Sequence, residues 1–285
     1  MTGLALALVL TSALMHATWN FFAKRADGGL PFAWMFSALG TVLFLPVIIV
    51  ILIVQQPTLG LREWGGIAVT CFIHVGYYLL LERGYRVGDL SFVYPIGRGT
   101  GPILSAVGAI VLLGERPTVL VLIGTLLVTA GVLIITGNPF RARSSTPALI
   151  YGLLIGLSMA VYTLWDKQVV GVMLIPPLFL IWCSGLTRTV VLYPQARRDW
   201  ARVQALWRER RRETFGVSLL DPLSYTLFLM ALAVTDVTLV APVRQISIVI
   251  GTFLGAKVLA ESGSQRRLLA AAVMVVGVVT LALPQ

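Results

Sequence analysis

Apolar stretches of about 20 residues, broken only by short clusters of Pro, Gly and charge, follow one another through nearly the whole chain. Few folds accommodate that pattern, because about 20 apolar residues in a helix cross the roughly 30 Å hydrocarbon core of a bilayer. Cutting at the interruptions gives ten segments, at 3–23, 31–54, 65–82, 91–113, 117–137, 147–165, 173–193, 215–233, 236–258 and 266–284. The runs are continuous, not alternating, which excludes a porin-type barrel. Charge agrees: only 12% of the 285 residues are Asp, Glu, Lys or Arg, and mean hydropathy is +0.90, too little polarity to coat a soluble surface. Soluble enzymes, DNA-binding domains and disulfide-rich secreted scaffolds drop out, and an all-α integral membrane protein is expected. Cys71 and Cys183 lie inside apolar runs, so no disulfide is expected. The first run has no basic leader and reads as a retained helix, not a cleaved signal peptide.

The net charge of +10 points to the cytoplasmic face of a bilayer before it points to nucleic acid. Sixteen of the 22 Lys and Arg residues fall in connections after odd-numbered segments, whereas connections after even-numbered ones hold Arg62, Arg116 and Lys167. Because Lys and Arg are retained in the cytoplasm, this bias puts both termini outside and the basic insert 195–214 inside. Trp200, Val203, Leu206 and Trp207 recur at helical spacing among the arginines of that insert. It reads either as an interfacial helix on anionic lipid or as a topogenic charge block.

The chain also repeats itself. Asp89 and Pro95 match Asp236 and Pro242 at a lag of 147, Arg98 and Glu115 match Arg244 and Glu261 at 146, and Ala17, Trp19 and Lys24 match Ala160, Tyr162 and Lys167 at 143. The small residues Gly101, Ser105 and Ala109 fall on Ser247, Gly251 and Gly255, stripes that let the fourth and ninth segments pack closely. Residues 1–138 and 147–285 are therefore expected to be two five-helix units. Five is odd, so the copies enter the bilayer from opposite sides: ten transmembrane helices as two inverted repeats, the build of secondary transporters with a site at the repeat interface.

The stretch from His16 through Trp19 and Asn20 to Lys24, the Tyr94-Pro95 entry into the fourth segment, and Glu115 and Glu261 at the ends of the fourth and ninth resemble the drug/metabolite transporter superfamily, in particular its EamA-domain exporters. The resemblance covers the whole chain. It implies export of small metabolites across a bacterial inner membrane, with amino acids, aromatic ones included, or cationic drugs such as methyl viologen as substrates of similar members; others carry sugars, nucleotide sugars or phosphonates. Such exporters are usually described with both termini inside, opposite to the cation count.

Ionisable groups inside a span cost at least about 2.5–3.5 kcal/mol, so they face a cavity or a partner. His16, Trp19, Asn20 and Lys24 share a face of the first segment; His74, Tyr77, Tyr78 and Glu82 share one of the third; Ser158, Tyr162, Trp165 and Asp166 share one of the sixth. These faces read as pocket walls or as interhelical packing. Arg98 and Arg244, just beyond Pro95 and Pro242, either bond carbonyls freed by the prolines or hold a carboxylate or phosphate. Arg188 is expected to snorkel or pair locally. Candidate substrate-binding residues are thus His16, Trp19, Asn20, His74, Tyr77, Tyr78, Tyr94, Arg98, Tyr162, Trp165, Arg244 and Gln245, with Pro95, Gly97 and Pro242 as hinges. No carboxylate is placed near a midplane by this count, Asp166 falling at a segment end and Asp221 a turn or two inside the eighth, so transport is either facilitated or exchange-type, or a proton rides on His16 or His74. No enzyme motif is present and no cofactor, metal or nucleic acid is expected. The expected function is alternating-access export of amino acids by a monomer whose other partners are lipids. The alternatives are export of cationic drugs or of phosphorylated and other organic metabolites and, more remotely, a non-transporting accessory or sensor protein.

Overall fold

The computed structural model of the protein describes residues 1–87, 90–136, 146–259 and 264–283. Asp89 and Glu261, and the side chains of Tyr94, Pro95 and Gly255, lie outside the described residues. Every regular element among the described residues is helical: α1 (Gly3–Ala26), α2 (Gly29–Gln55), α3 (Leu61–Val87), α4 (Leu90–Leu113), α5 (Val119–Thr136), α6 (Thr146–Gly171), α7 (Pro177–Arg198), α8 (Trp200–Glu209), α9 (Arg211–Val234), α10 (Val237–Val243), α11 (Ile246–Leu259) and α12 (Ser264–Ala282). Seven helical stretches are long and apolar enough to cross a membrane: Gly3–Ala26, Gly29–Gln55, Leu61–Gly84, Ile96–Leu113, Thr146–Gly171, Arg211–Val234 and Val237–Leu254. Helices α5 and α12 are apolar but shorter, and α7 ends in Pro194, Arg197 and Arg198. Large apolar side chains stay exposed along these helices, as at Val50, Phe72, Leu126 and Val276, the surface hydrocarbon requires.

Local chemistry sets the helix ends. Thr2 caps α1 by accepting from the Ala5 N–H at 3.3 Å, and α1 closes on Asp27 in the left-handed region at φ 45°. Helix α4 ends at Gly114, which takes φ +71°, and the Glu115 N–H reaches back to the Ala109 carbonyl at 3.1 Å. That turn aims Glu115 away from its own helix. Residues 195–214, read either as an interfacial helix or as a charge block, are mostly helix: α7 runs on to Arg198, α8 follows, and α9 starts at Arg211. Val203 and Leu206 of α8 are buried against Ala26 and Phe32, so that part of its apolar stripe covers the α1–α2 turn, while Trp200 and Trp207 stay partly exposed.

The strongest packing joins distant parts of the chain. Helix α1 lies on α9, α3 and α4 lie on α6, α2 lies on α7, and α5 lies on α12. The hydrogen bond from Ser12 to Ser224 O and the contact of Phe22 with Gly216 show that α1 and α9 run antiparallel. The small-residue stripes do pack closely, each on the first helix of the other half: α4 on α6, and α11 on α1 at Gly251 and Ala17. A Cβ on Gly97 would stand 2.8 Å from the Ile155 side chain and 3.4 Å from Gly152 O. At the α5–α12 crossing a Cβ on Gly277 would meet backbone, Gly124 O and Val128 N, at 2.9 Å. Gly277→Leu should therefore push these helices apart at a cost of about 1–3 kcal/mol. Its melting temperature in detergent should fall by several degrees, while Gly3→Leu, at an open position, leaves it unchanged; equal melting of the two would deny the close crossing.

Candidate functional site

Three polar clusters sit inside the helix packing. The first centres on His16 of α1, which is buried. Its Nε2 lies 3.2 Å from Nη2 of Arg98 on α4, and its Nδ1 lies 3.4 Å from Nη2 of Arg244, at the break between α10 and α11. The two arginines paired by the sequence repeat thus converge on one imidazole. A neutral imidazole has one lone pair and a protonated one has none. At most one of the two guanidinium groups can donate to it. The Arg244 guanidinium lies over the rings of Tyr225 and Phe228 at 4.8 and 4.2 Å, and neither its Nε nor Gln245 Oε1 has a partner. Trp19 stands edge-on to His16 at 5.0 Å with its own buried Nε1 unpartnered. Arg98, Tyr162, Phe228, Arg244 and Gln245 line a cavity of about 10 Å³, at the threshold for one water. The walls are closed on each other around unsatisfied polar atoms.

The second cluster surrounds Asp166 of α6, which is fully buried. Its carboxylate accepts from Thr70 Oγ1 at 2.8 Å and from Tyr225 Oη at 2.8 Å, and His74 Nε2 lies 2.8 Å from its Oδ2. His74 also contacts Tyr162 and Tyr225 at ring distances of 5.0 and 5.3 Å, and Tyr77 closes on Tyr162 at 5.3 Å. This corrects the expectation that Asp166 lies at a segment end, away from the middle of the bundle. Asp166 is near the end of α6 by residue count, yet α6 is staggered so that it meets His74 in the middle of α3 and Tyr225 in the middle of α9. Tyr225 and Phe228, absent from the expected set, share a helical face with Asp221 at spacings of four and seven, the signal by which they could have been found.

The third cluster fastens one end of the bundle. The Glu115 carboxylate accepts from the backbone N–H of Val237 and Thr238 at 2.7 and 3.0 Å, capping α10 where Asp236 does not. Lys167 bonds Glu115 Oε1 at 3.3 Å and Thr235 O at 2.9 Å. Other candidates lie apart from the His16 cavity. Asn20 bonds His16 O on its own helix at 2.7 Å, and Trp165 donates to Gly66 O at 3.1 Å. Tyr78 faces Arg188, which pairs with Asp221 at 3.2 Å and donates to Ser37 Oγ at 2.6 Å beside a cavity of about 30 Å³. Gly97 sits in the α4–α6 contact, and Pro242 is buried in α10 two residues before the break at Arg244.

A sequence model of the EamA-like transporter family matches residues 3–137. That match and the long apolar helices indicate a multi-pass membrane transporter of the drug/metabolite type, with a small-molecule substrate and a lipid environment. A solved crystal structure shares the fold at a TM-score of 0.74, covering 98% of this chain and 96% of its own at 16% identity. No curated protein matches the chain.

Glu115 and Lys167 are 5% and 19% exposed at the side chain, so removing one leaves the other uncompensated. Glu115→Ala should cost about 2–4 kcal/mol. Adding Lys167→Met should cost little more, since the shared interaction is already lost; additive losses in a double-mutant cycle of detergent melting would show the two acting separately.

Proposed function

We propose that this protein exports carboxylate-bearing small metabolites, amino acids first among them, by alternating access between two inverted five-helix units, residues 1–138 and 147–285. The observation that carries the substrate class is the convergence of two cationic side chains on His16. Two guanidinium groups face one imidazole, with Arg244 Nε unpartnered beside them. A carboxylate entering the cluster supplies the missing acceptors as charge-assisted bonds, while Trp19, Tyr162 and Phe228 offer apolar walls to a bulky side chain. A purely cationic substrate would meet two like charges there.

Helix pairing supports the inverted arrangement. Exchanging the first five segments with the last five carries the α1–α9 contact onto α6–α3 and the α4–α6 contact onto α11–α1, and it carries α2–α7 and α5–α12 onto themselves. Arg98 and Arg244 then occupy equivalent places on either side of His16. The hinges of the reading are the break at Arg244 and Gln245 after Pro242 and the tight Gly97 contact, with Pro95 as the sequence mate of Pro242. The bacterial inner membrane is the expected location, with the basic α7–α9 region cytoplasmic by the cation count and the monomer sufficient for a pathway.

Counterflow of labelled L-phenylalanine in proteoliposomes tests the function. Arg244→Gln should raise the concentration for half-maximal flux about 10- to 100-fold, the worth of a charge-assisted hydrogen bond. L-Phenylalaninamide should compete with the wild type at least 10-fold more weakly than L-phenylalanine, and with Arg244→Gln by a smaller margin. No flux of any amino acid through folded protein would falsify the reading; inhibition by organic phosphates and not by amino acids would move the substrate to a phosphorylated metabolite.

A further inference from the structure

Residues 195–214 do more than join two helices. Under the repeat, the link that answers to them joins α2 to α3; it is five residues long, 56–60, and carries no charge. Between α7 and α9 the chain instead holds the ten-residue helix α8 and seven arginines from Arg197 to Arg212, against only Asp199 and Glu209. Six of the seven are exposed, and among the described residues none of them is in an ion pair. Alternating access asks for none of this. Fixing orientation in the membrane asks for the cations alone, without a helix and without tryptophan.

The two sides of α8 have different neighbours. Val203 and Leu206 are buried against Ala26 and Phe32, and a Cβ on Gly28 would lie 3.0 Å from the Leu206 side chain. Trp200 and Trp207, seven residues apart and so on one side of the helix, flank that stripe and stay 44% and 42% exposed. Each stands against an aromatic ring of a long helix, Trp200 against Trp34 at 5.7 Å and Trp207 against Phe215 at 5.8 Å. Phe215 and Leu219, both exposed, carry the apolar surface on along α9. The tryptophans are thus continuous with the wall that faces hydrocarbon, while the arginines cluster at the ends of α7 and α9, the placement of an interfacial helix. An acidic protein could meet the arginines but would leave the tryptophans to the lipid. A phospholipid meets both, phosphate on guanidinium and acyl chain on indole.

We propose that α8 and its arginines form a docking site for anionic phospholipid, and that lipid bound there holds the α1–α2 turn in place. Each arginine near an anionic surface favours the contact by about fivefold. The turn ends the helix that carries His16, and Glu213 at the start of α9 pairs with Arg25 beside it at 3.7 Å. A helix drawn onto the headgroups keeps Val203 and Leu206 over that turn; a helix released from them leaves Ala26 and Phe32 uncovered. This holds whatever the substrate and whichever way it travels.

Full-length protein in nanodiscs tests both parts. Two samples hold the same mixture of phosphatidylcholine with a minor share of phosphatidylglycerol, with bromine on the phosphatidylglycerol in one and on an equal amount of phosphatidylcholine in the other. The fluorescence lost by Trp200 and Trp207 is obtained by difference from the double variant Trp200→Phe and Trp207→Phe. Brominated phosphatidylglycerol should quench these two at least about 2-fold more than brominated phosphatidylcholine. Raising salt from about 0.1 to 1 M, which shortens the screening length from about 10 to about 3 Å, should bring the ratio to about 1. The triple variant Arg208→Gln, Arg211→Gln and Arg212→Gln should do the same at low salt. Between pure phosphatidylcholine and the mixture, amide exchange over residues 26–32 should slow at least about 5-fold more than over residues 56–60, which meet the same surface potential at the other end of α2. Equal quenching by the two brominated lipids, or an excess that survives 1 M salt, overturns the docking site. Exchange at 26–32 that slows no more than at 56–60 overturns the hold on the turn. If the triple variant does not fold, the salt series on the wild type decides.

Discussion

A polar side chain in hydrocarbon has only the protein to bond with, and in this chain many hydroxyls bond their own helix while the bonds that tie helices together reach far along the sequence. Ser12 bonds Ser224, Ser37 bonds Arg188, Thr70 and His74 bond Asp166, Glu115 bonds Lys167 and the start of α10, and His16 lies against Arg244. The apolar packing follows the same rule, with α1 on α9, α2 on α7 and α5 on α12. Neither half satisfies its own interior. The polar clusters and the helix pairing are thus one constraint seen twice, and the cavity at His16 exists because both halves send cationic groups to the same point.

Much of this was legible in the sequence. Segment lengths gave the helices, and the lag between Arg98 and Arg244 singled out the two arginines that meet at His16. What was not legible was depth. Asp166 shares a helical face with Tyr162 by spacing alone, but its distance from the membrane edge depends on how far α6 slides along α3, which is set by contacts such as Trp165 on Gly66 O. Spacing likewise cannot separate Tyr77 from Tyr78: one turns to Tyr162 and the other to Arg188, a choice made by which neighbour covers each side of α3. The helical spacing of the basic insert was legible, but not that Val203 and Leu206 cover the α1–α2 turn.

The glutamate clasp and the helix break belong together mechanically. Glu115 holds the start of α10, and seven residues on, the chain gives up regular helix at Arg244 and Gln245. The short helix is thus held at one end by Glu115 and interrupted at the other beside Arg244 and Gln245, the residues with unpartnered atoms. The Gly97 and Gly277 contacts, by contrast, are close-packed.

The interlocking of the halves also bears on how the protein is made. When the first five helices have left the ribosome, the groups that will bond Thr70, His74 and Glu115 are still untranslated. At about 5–20 residues per second, the remaining half of the chain takes on the order of 10–30 s to appear. During that interval the nascent chain sits in the bilayer with ionisable side chains that nothing matches. Insertion machinery or lipid headgroups must shelter them, and a message truncated after the first half would yield a substrate for membrane quality-control proteases, not a half-transporter.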